Sequence, residues 1–158
     1  MRDAVRASVE EVLETMFFAE TMGECPAADP AEEPIADEIA AGLTFQGEPS
    51  GCMLLRITLD AARQITADFL GLDDAEISDN QISEVVRELA NMICGSVLSR
   101  VESSVTFQLG PPRVVRPSAE IIRSLAPTTY GVRLTNGRLR VNIGTESPIC
   151  LQLAPSAY

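Results

Sequence analysis

One segment constrains the fold of this 158-residue chain more than any other, a long stretch of helical periodicity at residues 78–100. At about 100° per residue, its apolar side chains lie within roughly 60° of one another and form one stripe. These side chains are Ile82, Val86, Leu89 and Ile93. Ser78 or Asp79 is suited to cap the start of this helix. A long helix with one apolar face has to bury that face on a second layer, which the rest of the chain must supply.

The second layer is predicted to be an antiparallel β-sheet. Two extended runs, residues 39–46 and 52–58, flank a segment rich in Gly, Pro and Ser, which predicts a hairpin. A second hairpin is predicted for residues 130–135 and 138–143, because Asn136 and Gly137 between them favour a type I′ turn. Two further runs are expected to form short strands: residues 105–109 and 149–153.

Two more helices are predicted to pack on this sheet. Residues 3–22 place apolar side chains at helical spacing with glutamates on the other side, as in an amphipathic helix. A shorter helix should begin at Thr58 or Asp60 and end at Gly71. We therefore expect a single α+β domain over residues 1–158, with two long helices and a short helix packed on an antiparallel sheet.

The charge composition excludes several kinds of chemistry. The chain has 23 acidic residues, 12 basic residues that are all Arg, no Lys and no His, and a formal net charge of -11. It therefore lacks a histidine base, a His-ligated zinc site, and the lysine of Schiff-base enzymes and P-loops. An acidic surface also opposes nucleic-acid binding, which depends on phosphate neutralisation. Part of this charge lies in the proline-rich residues 24–38, predicted to be an acidic surface loop.

The cysteines and the hydropathy pattern bear on the compartment. Cys25, Cys52, Cys94 and Cys150 are far apart in sequence and include no C-x-x-C pair, so no metal site is indicated. No run approaches the ~18 apolar residues of a membrane span, and the first residues do not read as a secretory signal. We expect a cytoplasmic protein, not inserted in a membrane, whose four thiols are reduced and act as small core residues.

The helix at residues 78–100 carries an unusual outer face. Glu84, Glu88, Asn91 and Gly95 lie opposite the apolar stripe. Asn91 is a poor helix former in mid-helix, and Gly95 costs about 1 kcal/mol relative to Ala but leaves room for another molecule. Glu88 is three residues before Asn91, so the two side chains are neighbours. On the residues alone, an ordinary solvated helix face is the simpler interpretation, because a Glu-x-x-Asn pattern is common by chance.

The wider context of this pattern resembles a known family. Glu88-Leu-Ala-Asn91-Met-Ile-Cys-Gly95 lies in a long helix, preceded by a hairpin and by a short helix that ends Ala67-Asp-Phe-Leu-Gly71. This arrangement resembles the CheC/CheX/FliY family of bacterial chemotaxis phosphatases. The first helix and the hairpin at Asn136 and Gly137 follow the order of the single-site CheX branch.

The resemblance implies hydrolysis of the aspartyl phosphate on a phosphorylated CheY-like receiver domain. In that role Asn91 would position the attacking water and Glu88 would pair with the active-site lysine of the receiver. Glu84, Met92 and Gly95 would contact the receiver. The receiver would supply Mg²⁺, and this chain would hold no cofactor of its own. The resemblance also makes a homodimer plausible.

Family members with two sites repeat the motif on the first helix. Here the comparable stretch reads Glu11-Val-Leu-Glu14, with Glu where Asn would be needed. We therefore expect one active helix per chain.

Two other functions remain open on the sequence. A CheX-like binding or scaffold module would recognise a receiver or a flagellar-switch component without turnover. It would show phosphorylation-sensitive binding with no change in the lifetime of the phosphoryl group. A carboxylate hydrolase using Asp60, Asp73 or Asp74 is a third possibility, but turn and cap positions explain these aspartates more simply.

Overall fold

The structure is a computed structural model that describes residues 1–25, 37–125 and 129–154. Its helices and strands, in chain order, are α1 (Arg2–Met16), β1 (Thr21–Glu24), β2 (Glu38–Gln46), β3 (Gly51–Thr58), α2 (Leu59–Leu70), a 3-10 turn (Asp74–Glu76), α3 (Asp79–Ser99), β4 (Gln108–Leu109), β5 (Arg113–Val115), α4 (Ala119–Ser124), β6 (Thr129–Leu134), β7 (Gly137–Thr145) and a 3-10 helix (Pro148–Leu153). No helix within these ranges is both long and apolar enough to cross a membrane.

The strands of the described residues form one antiparallel sheet in the order β1-β6-β7-β3-β2-β4, with β5 also paired to β2. Both predicted hairpins are confirmed: β2 pairs with β3, and β6 pairs with β7. The pairing of β3 with β7 joins the two hairpins side by side. The predicted type I′ turn at Asn136 and Gly137 is wrong, because Leu134 pairs with Gly137 and the two residues between them, Thr135 and Asn136, both lack a positive φ. Gly137 begins β7 with φ +154°, and a Cβ there would clash with Thr58 Oγ1, so this position requires glycine.

Helices cover one face of this sheet and build the main core. Alternate side chains of β3 point to opposite faces, so Met53, Leu55 and Ile57 meet the helices, while Cys52 and Leu54 face the other way. On that second face, α4 and the last 3-10 helix close a smaller apolar cluster. The α+β class, with helices packed on an antiparallel sheet, is confirmed.

Helix ends follow the sequence closely for α2 and α3. Gly71 ends α2 in the left-handed conformation with φ +66°. Ser78 caps α3 through a reciprocal capping box: its hydroxyl accepts from the Gln81 N–H at 3.2 Å, and the Gln81 side chain accepts from the Ser78 N–H at 2.9 Å.

The predicted extent of the first helix, residues 3–22, is wrong at its end. Helix α1 stops at Met16, and Phe18 takes a left-handed conformation with φ +53°. The next residues form β1 as an edge strand against β6. Strand pairing with a segment more than 100 residues away therefore overrides the local helical pattern, because β6 offers the backbone partners that an edge requires.

The prediction of four reduced thiols is wrong for one pair. Cys52 of β3 and Cys150 form a disulfide across 98 residues of sequence, whereas Cys25 and Cys94 are free and buried. The predicted strand at residues 149–153 is also wrong, because Pro148 starts a 3-10 helix that the disulfide holds against the sheet. Its Ile149 and Leu153 fill the apolar cluster of the second face.

Two other predictions need correction or fall outside the described residues. The strand predicted at residues 105–109 is only Gln108–Leu109, and Arg113–Val115 forms an additional strand beside β2. The acidic loop predicted at residues 24–38 is wrong at both boundary residues. Glu24 is the last residue of β1, and Glu38 is the first residue of β2. Residues 26–36 between them lie outside the described residues.

Arginine side chains are buried on the second face of the sheet. Arg56 of β3 lies opposite Arg140 of β7, and each is 5% exposed. Burial lowers the pKa of Arg56, while the carboxylate of Glu38, 3.6 Å away, opposes that shift. Glu38 thus helps to keep this buried guanidinium charged.

The capping box predicts the stability cost of removing its hydroxyl. We expect Ser78→Ala to lower the free energy of unfolding by about 1 kcal/mol, because the Gln81 N–H loses its acceptor. Urea unfolding measures the change. Ser83→Ala, in the same helix but away from the cap, serves as the control and should change stability by less than about 0.5 kcal/mol. Equal effects of the two substitutions would contradict the assigned role of Ser78.

Candidate functional site on the long helix

Helix α3 is held by packing on three sides. It contacts β2 and β3 of the sheet as well as helices α1 and α2. The predicted stripe is confirmed, since Ile82, Val86, Leu89 and Ile93 are each at most 1% exposed. This burial fixes how the helix is rotated, and it therefore fixes which side chains point away from the core.

The outer face contains the residues that the sequence singled out. Glu84 and Glu88 are exposed, whereas Asn91 and Gly95 are half-buried. Glu88 and Asn91 are three residues apart on one helix, so their Cβ atoms are roughly 5–6 Å apart. The fold thus brings a carboxylate and an amide together at the surface of a rigid element.

The side chains of Glu88 and Asn91 make no polar contact with the described part of the chain. In residues 1–25, 37–125 and 129–154, neither side chain forms a hydrogen bond or an ion pair. Arg87, the nearest basic residue in sequence, donates instead to the carbonyl of Ser83 at 3.4 Å. The carboxylate and the amide are therefore both available to a second molecule.

The other predicted contact residues lie around this pair. Glu84 accepts a hydrogen bond from the Asn80 amide at 3.4 Å and remains exposed. Met92 is half-buried and packs against the main core, so only part of its side chain can reach a partner. Leu109 of β4 was not singled out by the sequence, yet it lies beside Gly95 and is 36% exposed. No local pattern indicates it, because the strand that positions it pairs with β2.

Gly95 has no structural reason to be glycine. A Cβ built there would meet Leu109 Cδ2 at 4.0 Å as its nearest atom, which leaves room for alanine. Gly51, in contrast, lies where a Cβ would be 2.1 Å from the Gly144 carbonyl oxygen. Since glycine weakens a helix interior by about 1 kcal/mol, position 95 carries a residue that neither the helix nor its described surroundings require.

The comparable glutamates of α1 are engaged within the chain. Glu11 pairs with Arg100, which also donates to the Ser8 hydroxyl at 3.3 Å. Glu14 accepts from the Thr21 hydroxyl at 3.5 Å. These contacts hold α1 against the end of α3 and against β1. Glu88 and Asn91 on α3 differ, because their side chains have no polar partner among the described residues.

The other carboxylates and thiols of residues 1–25, 37–125 and 129–154 do not form a second candidate site. Among the described residues, no three Cys, Asp or Glu side chains lie close enough to hold a metal ion. Asp74 lies 3.9 Å from Arg63, and Asp60 is exposed in the first turn of α2. Burial raises the pKa of the Cys94 thiol to about 12, so this neighbour of Gly95 is not a thiolate at neutral pH.

The family of the chain follows from its central part. A model of the family described as chemotaxis phosphatase CheX matches residues 39–131, a range that includes all of α3. The chain belongs to the CheX family. Among curated protein sequences none matches this CheX-family chain.

Solved structures support the same fold. Chemotaxis protein CheX from Vibrio vulnificus is 20% identical with a TM-score of 0.67, over 91% of this chain and 95% of that one. The CheX in a CheX-CheY-BeF3-Mg²⁺ complex from Borrelia burgdorferi is 14% identical with a TM-score of 0.69, over 92% and 97%. FliY from Thermotoga maritima is 12% identical with a TM-score of 0.57, over 92% and 86%. At these identities the likeness concerns the fold, and the roles of Glu88 and Asn91 stay predictions, as does the single domain over residues 1–158.

The open surroundings of Gly95 predict a gain in stability on substitution. We expect Gly95→Ala to raise the free energy of unfolding by about 0.5–1 kcal/mol, because alanine favours the helix and its Cβ meets no close atom. Gly51→Ala is the matched control and should lower stability by about 1–3 kcal/mol through its clash with backbone. Urea unfolding distinguishes the two, and a loss of stability in Gly95→Ala would show that the fold requires this glycine.

Proposed function

We propose that this CheX-family chain hydrolyses the aspartyl phosphate of a CheY-like receiver domain. The observation that carries the proposal is that Glu88 and Asn91 are neighbours on α3 and have no hydrogen-bond or ion-pair partner among the described residues. The chain that presents them belongs to a family of chemotaxis phosphatases. The Borrelia burgdorferi relative, whose structure is a complex with CheY, BeF3 and Mg²⁺, supports a receiver domain as the partner.

Hydrolysis of an aspartyl phosphate does not require a covalent intermediate on the phosphatase. An acyl phosphate is already activated, and in-line attack by water depends mainly on position and electrostatics. The amide of Asn91 can donate a hydrogen bond to one oxygen and accept one from the attacking water. Asn91 therefore acts by orienting water, which does not require a group that titrates near neutral pH. This mechanism suits a chain without histidine.

Glu88 anchors the receiver in the proposed complex. Its exposed carboxylate has no partner in the described part of this chain, so an ammonium group of the receiver can pair with it through a charge-assisted hydrogen bond. A lysine in the receiver's active site fits this requirement. Because Glu88 and Asn91 lie on consecutive turns of a rigid helix, pairing at Glu88 sets the distance at which Asn91 enters the receiver's site.

The two proteins contribute different parts of the proposed site. In this proposal the receiver would hold the Mg²⁺ that neutralises charge on the phosphoryl oxygens. The receiver would also supply the lysine, because this chain has no Lys. This chain contributes a helix surface on which Gly95 allows close approach. Glu84, Met92 and Leu109 border that surface and complete the proposed contact with the receiver.

Substitution of Asn91 tests whether its amide orients the attacking water. We expect Asn91→Ala to reduce the acceleration of receiver dephosphorylation by about 100-fold or more, because water loses its orienting group. The lifetime of the phosphorylated receiver, measured with a panel of receivers from the same organism, gives the rate. Asn136→Ala removes the same residue type from the turn between β6 and β7, away from α3, and should leave the rate unchanged. Wild-type acceleration by Asn91→Ala would overturn the assignment.

Binding assays on Asn91→Ala separate catalysis from docking. A catalytic role predicts that the variant still binds the phosphorylated receiver with near wild-type affinity. If the wild-type protein binds the phosphorylated receiver tightly but never shortens its lifetime, the chain is a scaffold and the proposed hydrolysis is wrong.

The carboxylate of Glu88 should act on docking. We expect Glu88→Ala to raise the KM for the phosphorylated receiver by about tenfold, with kcat little changed, because one charge-assisted pair is lost. Glu76→Ala removes the same charge from an exposed turn, which controls for the net charge of the protein. The dependence of dephosphorylation rate on receiver concentration gives both constants. Equal KM values for the two variants would contradict the role of Glu88.

A further inference from the structure

A cavity of about 280 Å³ lies where α1 ends, beside α2 and the β6–β7 hairpin. Phe18, Ala61, Ile65 and Leu134 form its apolar part. None of the described residues that line it belongs to α3, so the cavity is separate from the Glu88 and Asn91 surface. The proposed phosphatase reaction makes no use of it.

Phe18 occupies a position that the fold would give to glycine. It follows the end of α1 in the left-handed conformation with φ +53°, where glycine or asparagine is usual and a bulky side chain is strained. The Ala19 N–H closes the helix end by donating to the Leu13 carbonyl at 2.9 Å. Phe18 gains little burial in return, since it is 74% exposed, whereas its neighbour Phe17 is buried and stacks on Phe69.

The aromatic ring of Phe18 is therefore placed for contact outside the chain. Strained residues that the fold itself does not need are concentrated at binding sites. Three apolar side chains in the last turns of α1 and α2 are also exposed, by 39–44%: Met16, Phe69 and Leu70. Met22 of β1 is 62% exposed.

The polar rim of the cavity is acidic. Glu20 and Asp68 line it, and neither forms an ion pair in the described part of the chain. Gln64 donates to Asp68 at 3.1 Å and accepts from Asn136 at 3.3 Å, so the polar side chains are held in a short network. No arginine is among the described residues of the lining. The rim therefore favours a positively charged group next to the apolar opening.

We propose that this cavity docks a segment of a partner protein that pairs a leucine- or phenylalanine-sized side chain with an adjacent arginine or lysine. The volume is below the usual range of roughly 300–1,000 Å³ for small-molecule sites and suits the single buried anchor of a protein contact. A second copy of this chain is a poor occupant, because each copy would bring the same acidic rim and a net charge of -11.

The test uses the full chain, isotope-labelled, with a short amphipathic peptide of leucine, alanine and arginine as the probe. We expect this peptide to shift the amide resonances of the lining residues Phe18, Ile65 and Asn136. These shifts should occur at lower peptide concentration than shifts of residues on acidic surfaces elsewhere in the protein. A counterpart in which glutamate replaces arginine should not bind. Phe18→Gly should weaken binding by about tenfold or more while raising the Tm, because it removes both the anchor contact and the backbone strain.

Matched charge variants separate the rim from general acidity. The double variant Glu20→Gln with Asp68→Asn should lose binding, whereas Asp73→Asn with Glu76→Gln removes two charges elsewhere and should retain it. Binding unaffected by Phe18→Gly, amide shifts spread evenly over acidic residues, or a lower Tm in Phe18→Gly would each overturn the proposal. Concentration-dependent self-association abolished by Phe18→Gly would also overturn it, since the occupant would then be a second copy.

Discussion

The packing of the apolar stripe of α3 on the sheet is the interaction on which the rest of the structure depends. Full burial of a Leu or Ile side chain contributes roughly 1.5–3 kcal/mol, and Ile82, Leu89 and Ile93 are all fully buried. Rotation of the helix by even one residue position would expose part of this stripe and bury glutamates instead. The core therefore decides that Glu88 and Asn91 face outward, with the Ser78 capping box fixing where the helix begins.

Several surface positions carry residues that the fold by itself would not choose. Asn91 and Gly95 both weaken the helix interior, and Phe18 takes a conformation that suits glycine. Such conflicts between local preference and local residue are expected at functional surfaces, where stability is exchanged for contact with another molecule. The glutamates of α1 show the opposite pattern, because Glu11 and Glu14 bind groups of the same chain and hold α1 in place.

Prediction from the sequence worked where the determining signals are local. The end of α2 at Gly71 and the cap of α3 at Ser78 each depend on a few neighbouring residues, and both are confirmed. It failed where distant segments decide the outcome. The Cys52–Cys150 disulfide spans 98 residues, and Pro148–Leu153 is a 3-10 helix because that bond and an apolar cluster on the second face hold it.

The sequence by itself determined the periodicity of α3, its outer face and the two hairpins, because these follow from spacing and turn chemistry along short stretches. Only the tertiary structure decided which polar side chains are free. Arg100 reaches Glu11 across 89 residues, and Leu109 comes to lie beside Gly95 through the pairing of β4 with β2. The physical reason is that a side chain's availability depends on every neighbour in space, and those neighbours come from segments that no local pattern connects.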